Sequence, residues 1–385
     1  MESTSPAPSP RSLLLFSPLF SRYHYGPSHP LKNERLTLTF RLIQAYGLDR
    51  LERAQVREPR PAEEAEALLF HHAKYLEVLR KAEEGKPFPN SYSYGLGTPD
   101  NPIFPGVYTW SLLVAGASLS AARALEEGFD FAFNPAGGLH HAHAAKASGF
   151  CYVNDPAVMI RDLLKRGRRV AYLDLDAHHG DGVQEAFYET DQVLTISLHE
   201  SGHTLFPGTG FTQEMGRGKG KGYAVNLPFH VGTDDEIFLW AFEEIALPLI
   251  SSFKPDVLVT QLGVDTHRSD PLSNLALTIQ GFAEAVSRVR RMAGKWIALG
   301  GGGYDLDNVP RAWTLVWAIM NDQDLDPNIP EEFLDFARAM GFAEDFLWDP
   351  PVVQDDSLKE RAARFAQEQV ESIKKIIFPI HGMKG

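Results

Sequence analysis

Arg169-Val170-Ala171-Tyr172-Leu173-Asp174-Leu175-Asp176-Ala177-His178-His179-Gly180-Asp181 is the stretch from which the architecture can be read. Its first half is apolar, as a strand buried on both faces requires, and its second half changes abruptly to acids and histidines. Four further runs have the same apolar build: Phe129–Asn134, Val193–Leu198, Asp256–Leu262 and Lys295–Leu299. Between and around them, helix-like patterns cover Ser111–Glu127, Val158–Arg166, Asp234–Ile250 and Thr278–Met292. Strands alternating with helices predict an α/β fold with a mostly parallel sheet flanked by helices.

Each of the five strands runs into a segment rich in Gly, His or Asp: GGLHHAH (137–143), DAHHGDG (176–182), HESGHTLFPGTG (199–210), GVDTHRSDP (263–271) and GGGGYD (300–305). In open α/β sheets the ligand crevice lies outside the carboxyl ends of the strands, so these five loops are expected to converge on one site. The chain of 385 residues is long enough for one large domain. We expect a flexible N-terminus over 1–12 and one domain over 13–380, with 321–380 an extension packed on it that ends in an amphipathic helix, Ser357–Ile377.

Composition narrows the partners. A formal charge of -13 repels phosphates over most of the surface, so direct nucleic-acid binding is not expected and a basic peptide suits better. The single cysteine, Cys151, excludes an intrachain disulfide and favours a cytoplasmic location. Met1–Pro10 has no basic segment of an export signal, and no apolar run approaches the roughly 18 residues that span a bilayer.

Strand alternation puts Asp174, Asp176 and His178 on one face, where two of them can meet a cation with carboxylate oxygen and imidazole nitrogen. Asp265, at the end of another apolar strand, is either a third ligand from across the crevice or a loop residue. Two carboxylates and one histidine leave coordination positions open, the mark of a catalytic metal site. His140 and His141 are candidates for general acid and base, with Asp174 and Asp181 available to orient their rings, and His143 follows them. His71 and His72 read as ordinary helical residues. Gly300–Gly303 lacks the pattern of a phosphate loop and reads instead as backbone that presents the Tyr304 hydroxyl to an oxyanion. Cys151, between two aromatics, reads as a small wall residue.

Taken together, GLHH (138–141), SGFCYVND (148–155), DLDAHHGDG (174–182), LFPGTG (205–210), QLGVD (261–265) and GGGGY (300–304) resemble the zinc-dependent histone deacetylase family, including class I and bacterial acetoin-utilization deacetylases. The resemblance covers roughly residues 15 to 380 and implies an arginase/deacetylase-type fold with a central eight-stranded sheet and a narrow tube leading to the metal. It implies hydrolysis of acetyl-lysine amides in an acetylated protein or peptide to lysine and acetate. Asp176, His178 and Asp265 then look like the ligands of Zn2+, with Fe2+ the other candidate. His140 and His141 look like the acid-base pair backed by Asp174 and Asp181, and Tyr304 like the carbonyl-polarising group. Phe150 and Phe206 resemble the tunnel walls, Gly149 a narrow contact, Asp100 the rim acid that grips substrate backbone, and Arg35 the arginine of an acetate channel. A structural K+ site would match Asp174, Asp176, His178, Ser197 and Leu198, and a second Phe187, Thr190, Val193 and Tyr223. Leu272 stands where polyamine-specific relatives carry a glutamate. The rivals are a deacetylase of small acylated amines, a silent acyl-lysine binder, and a two-metal arginase-like enzyme.

Overall fold

The computed structural model describes residues 10–351 and 355–384. Eight strands form one sheet: β1 (Ser12–Leu15), β2 (Ala54–Arg57), β3 (Phe131–Asn134), β4 (Val170–Asp174), β5 (Val193–Glu200), β6 (Ala224–Phe229), β7 (Val257–Gln261) and β8 (Trp296–Leu299). Their order is β2-β1-β3-β8-β7-β4-β5-β6, and every pair is parallel. Five are the strands expected from apolar runs, trimmed or extended by a residue or two at their ends. β1, β2 and β6 carry no comparable signal. β1 is four residues long, β2 is an edge strand with two of its four residues exposed, and β6 contains Pro228. Proline is tolerated there because β6 is the other edge of the sheet.

After β3 the chain skips two places in the sheet, lays β4, β5 and β6 out to the edge, and returns through the helix Asp235–Phe253 to fill the gap with β7 and β8. One register row crosses the sheet at the ends of β3, β8, β7 and β4 and continues into β5 and β6: Asn134 beside Leu299, Leu299 beside Gln261, Gln261 beside Asp174, Asp174 beside Ser197, and Ser197 beside Asn226. All but Leu299 are polar, and all are buried. This polar row lies at the place where a change of strand order opens a crevice.

Helices bury the two faces of the sheet. The helix Val107–Glu126 is buried along most of its length, and Trp110, Trp296, Trp313 and Trp317 are among the largest fully buried side chains. The C-terminal helix Asp356–Ile376 buries Ala362, Ala366, Val370 and Ile373, a stripe at helical spacing, against β6 and the helix Asp235–Phe253. That helix thus packs against the edge of the same sheet. Of the N-terminal stretch expected to be flexible, residues 1–9 lie outside the described residues, whereas Ser12 is buried and already paired with both β2 and β3. No helix among the described residues is long and apolar enough to cross a membrane.

Candidate active site

β4 stops at Asp174, so strand alternation does not continue to Asp176 and His178. The turn that follows brings them together instead: the Asp176 amide donates to Asp174 Oδ1 (3.1 Å) and the His178 amide to Asp176 Oδ1 (3.0 Å). Asp265 arrives from the end of β7. One ligand atom from each of Asp176, His178 and Asp265 lies within 4.8 Å of the others, and all three residues are buried. His178 Nδ1 sits 3.1 Å from Asp176 Oδ1 and 2.9 Å from Asp265 Oδ2.

The outward oxygens of the two carboxylates are already engaged. Asp176 Oδ2 accepts from Gln261 Nε2 and from the Gly302 amide, each at 2.7 Å, and Asp265 Oδ1 accepts from the Ala177 amide at 2.8 Å. The remaining two oxygens and the imidazole nitrogen face one another. Burial and the nearby Asp176 push the Asp265 carboxyl up to about 6, the response of two buried acids that share one space. A divalent cation would relieve that repulsion, and this donor set of two oxygens and one nitrogen could hold one with positions left open. Gly302 explains part of the glycine run: a Cβ there would overlap Asp265 Oδ2, so the backbone lies against the ligands themselves.

Two histidine-carboxylate pairs adjoin the triad. His140 Nδ1 and Asp174 Oδ2 are 2.8 Å apart, as are His141 Nδ1 and Asp181 Oδ1, and the two Nε2 atoms face each other at 3.0 Å. Burial works against a charge on His140, but Asp174 and Asp176 lift its pKa to about 9. Burial and the neighbouring His140 push His141 down to about 4, leaving a neutral ring able to accept a proton. The loop that carries both rings is pinned from below. Asn154 Nδ2 donates to the His140 and Ala142 carbonyls (3.1 and 2.9 Å) while Asn154 Oδ1 caps the helix Asp155–Lys165. Asp155 accepts from the Gly138 and Leu139 amides.

A cavity of about 220 Å3 leads from the surface to this centre. It is lined by Asp100, His141, Gly149, Phe150, His178, Leu205, Phe206, Leu272 and Tyr304. Phe150 packs edge-on to Tyr304, with ring centres 5.6 Å apart, and Phe206 edge-on to His141 at 5.0 Å. Gly149 lies so close to the His141 ring that a Cβ would collide with it. Burial, then Asp265 and Asp176, raise the Tyr304 phenol well above its ordinary value, which keeps it a hydrogen-bond donor. Behind it, buried Arg35 donates to the Gly303 carbonyl at 2.8 Å and lies over the Trp313 ring. Cys151 is buried, its thiol pushed well up by burial, and its Sγ donates to the Gly149 carbonyl, which makes it wall rather than nucleophile.

A histone deacetylase domain model matches residues 29–320 of the sequence. The chain belongs to the histone deacetylase family. It is 38% identical to the acetoin utilization protein AcuC of Bacillus subtilis over 379 residues, covering 94% of this chain and 97% of that protein. It is 42% identical to histone deacetylase 9 of Arabidopsis thaliana over 327 residues, covering 84% and 75% respectively. Among solved structures, an HDAC homologue from Aquifex aeolicus superposes with a TM-score of 0.83 at 37% identity, covering 94% of this chain and 100% of that one. An HDAC homologue complexed with SAHA gives 0.85 at 36% identity, covering 94% and 99%. The fold is the arginase/deacetylase type expected from the resemblance, and the chain is a hydrolase of the histone deacetylase family.

In this histone deacetylase family member the residues singled out in sequence do meet. Asp176, His178 and Asp265 cluster together, His140 Nε2 lies 3.9 Å from Asp176 Oδ1, and His178, His141 and Tyr304 line one cavity with Asp100, Gly149, Phe150, Phe206 and Leu272. Asp174 ends β4, with Ser197 beside it and Leu198 next along β5. Other contributors carried no sequence signal of their own. Asp270 accepts from the Tyr304 and Leu272 amides (2.8 and 2.9 Å), tying Tyr304 to the mouth. His29 packs against Phe150 with ring centres 4.5 Å apart, and Tyr25 Oη donates to the Phe150 carbonyl. Only Gln261 stood out in retrospect, as a polar residue ending an apolar strand.

Proposed function

We propose that this protein hydrolyses the acetyl-lysine amides of proteins or peptides to lysine and acetate, with a Zn2+ or Fe2+ ion held by Asp176, His178 and Asp265. The observation that carries this reading is that His178 of the buried triad lines one aromatic-walled cavity together with Tyr304 and with His141, which is paired with His140. A divalent ion there supplies Lewis acidity to an acyl carbonyl and lowers the pKa of a water molecule. His141, or His140 beside it, takes the water proton and then protonates the departing lysine nitrogen, with Asp181 and Asp174 holding the rings. Tyr304 donates its phenolic proton to the developing oxyanion in a hydrogen bond. Phe150 and Phe206 enclose the aliphatic stem of the lysine and exclude water, Asp100 accepts substrate backbone amides at the mouth, and Arg35 faces the product acetate. No covalent acyl-enzyme is required.

Leu272 at the mouth supports a peptide over an acetylated polyamine, whose second ammonium needs a carboxylate partner there. A structural K+ would take oxygens from Asp174, Ser197 and backbone carbonyls near Asp176, His178 and Leu198, and a second would take those of Phe187, Thr190, Val193 and Tyr223. Oxygen-only donor sets of this kind suit hard cations. One cysteine and the absence of a membrane-spanning helix among the described residues support a cytoplasmic location. Steady-state kinetics of the metal-loaded protein on acetyl-lysine peptides, longer acyl peptides and acetylspermidine test the reading. Acetyl-lysine peptides are expected to show a kcat/KM at least about tenfold above acetylspermidine, or roughly 1.4 kcal/mol of discrimination. Equal or better turnover of acetylspermidine would promote the small-amine reading.

A further inference from the structure

The cavity that leads to the triad is walled in part by Leu205 and Phe206, from the loop after β5, and by Leu272, from the loop after β7. Glu200, the last residue of β5, is buried, and its side chain bonds to both loops. Its Oε1 accepts from Thr204 Oγ1 at 2.9 Å and from Asn274 Nδ2 at 3.0 Å, while its Oε2 accepts from the Asn274 amide at 2.7 Å. One carboxylate thus joins the residue before Leu205 to a residue just past Leu272.

All three donors are neutral, so these bonds do not make Glu200 half of an ion pair. Burying a carboxylate is costly, and packing alone does not call for one here. What it supplies is two acceptor oxygens turned toward two different loops. Hydrogen bonds to a carboxylate are stronger than those between neutral groups, which suits a bridge between residues that are themselves exposed, as Thr204 and Asn274 are. The reacting groups are held by other contacts. Asp270 holds the Tyr304 amide, Asp174 and Asp181 hold the His140 and His141 rings, and Ser273 Oγ donates to the Asp265 carbonyl. The Glu200 amide donates to the Ala177 carbonyl at 2.9 Å, a backbone bond that substitution of the side chain leaves in place. The bridge therefore bears on the walls of the cavity.

We propose that Glu200 is a positioning residue for substrate specificity: it ties the Leu205–Phe206 wall to the Leu272 wall, fixes the width of the cavity mouth, and so confines the site to unbranched acyl-lysine side chains. A branched chain must push the walls apart against the bridge. Without the carboxylate the walls separate more easily, so a linear chain packs less closely and a branched one is admitted. The proposal rests on the deacetylase reading above.

The test compares kcat and KM of the metal-loaded unmutated protein, Glu200→Ala, Glu200→Gln, Asn274→Ala and the double variant Glu200→Ala/Asn274→Ala. Two peptides are used, one with acetyl-lysine and one with a methyl branch midway along the acetyl-lysine side chain. The unmutated protein is expected to prefer the linear peptide by about tenfold or more in kcat/KM, the scale on which one methylene discriminates in a closed pocket. Glu200→Ala is expected to cut that preference about fivefold, through a higher KM for the linear peptide and a lower one for the branched, with kcat on the linear peptide within about twofold. Asn274→Ala, at an exposed position, should act in the same sense, and it carries the test if Glu200→Ala does not fold. The double variant should add nothing to Glu200→Ala, because both substitutions break one bridge. Glu200→Gln keeps one acceptor oxygen and should retain more of the preference than Glu200→Ala. A preference unchanged in Glu200→Ala and Asn274→Ala, full additivity in the double variant, or a fall in kcat with the preference intact would overturn the proposal. So would an unmutated protein that turns over both peptides equally. An unmutated protein inactive on every acetyl-lysine peptide would instead overturn the underlying deacetylase reading.

Discussion

In the proposed reaction Tyr304 acts through a single hydroxyl. Its backbone is held by Asp270 and its ring packs on Phe150, while no hydrogen bond among the described residues engages the phenolic oxygen. Removing that oxygen separates chemistry from structure. Tyr304→Phe is expected to keep full metal content and an unchanged melting temperature while turnover falls about a hundredfold or more, the loss typical of one oxyanion donor. A fall of less than about threefold, measured at saturating peptide, would transfer the polarising role to another group. At this scale the triad and the paired histidines were legible because charged residues at the end of an apolar strand have no structural reason to be there. The residues that aim them were not. Asn154, Asp155 and Asp270 act by accepting from or donating to backbone amides and carbonyls, and such roles leave no mark on residue type or spacing.

Between elements, the same economy appears in His71. It read as an ordinary helical histidine, yet it lies in the bend between the helices Glu64–Ala67 and Ala73–Lys81, buried, with its Nε2 accepting from the Asn154 amide at 2.9 Å. That bond links the N-terminal helices to the residue that grips the His140 and Ala142 carbonyls. Accepting at Nε2 requires an unprotonated nitrogen, and burial pushes the pKa from 6.5 to about 3. The unfolded chain then binds this proton before the folded one does. Stability is unaffected above the unfolded value and is lost as pH falls below it, by at most about 1.4 kcal/mol per pH unit until the folded group titrates. His71→Gln is expected to flatten the pH dependence of unfolding between about pH 6 and 4 by up to one proton relative to the unmutated protein. Parallel denaturation curves across that range would show that His71 is not held neutral. The strands tell a similar story of local signal against context. The five central ones were visible as apolar runs because helices cover both their faces, whereas β1, β2 and β6 are short or lie at an edge and depend on their neighbours to exist.

For the molecule as a whole, the excess of 50 acidic over 37 basic residues sets a long-range field that no single contact describes. Asp100 is exposed at the mouth of the cavity and adds a local negative charge where the substrate enters. A cationic peptide is drawn toward such a surface before any hydrogen bond forms, and an anionic one is repelled. The effect belongs to encounter rather than chemistry, so it falls on kcat/KM and leaves kcat alone. It also fades with salt, since the screening length shrinks from roughly 30 Å at 0.01 M to roughly 3 Å at 1 M. Acetyl-lysine flanked by Lys and Arg is therefore expected to exceed the same peptide flanked by Asp and Glu by about fivefold or more in kcat/KM at about 0.02 M salt. The ratio is expected to fall toward one at about 0.5 M, where the field is screened. A preference for basic flanks that persisted unchanged through the salt series would place recognition in short-range contacts at the mouth. A preference for acidic flanks at low salt would contradict the steering argument outright, because the net negative charge and the exposed Asp100 at the mouth both repel anionic flanks.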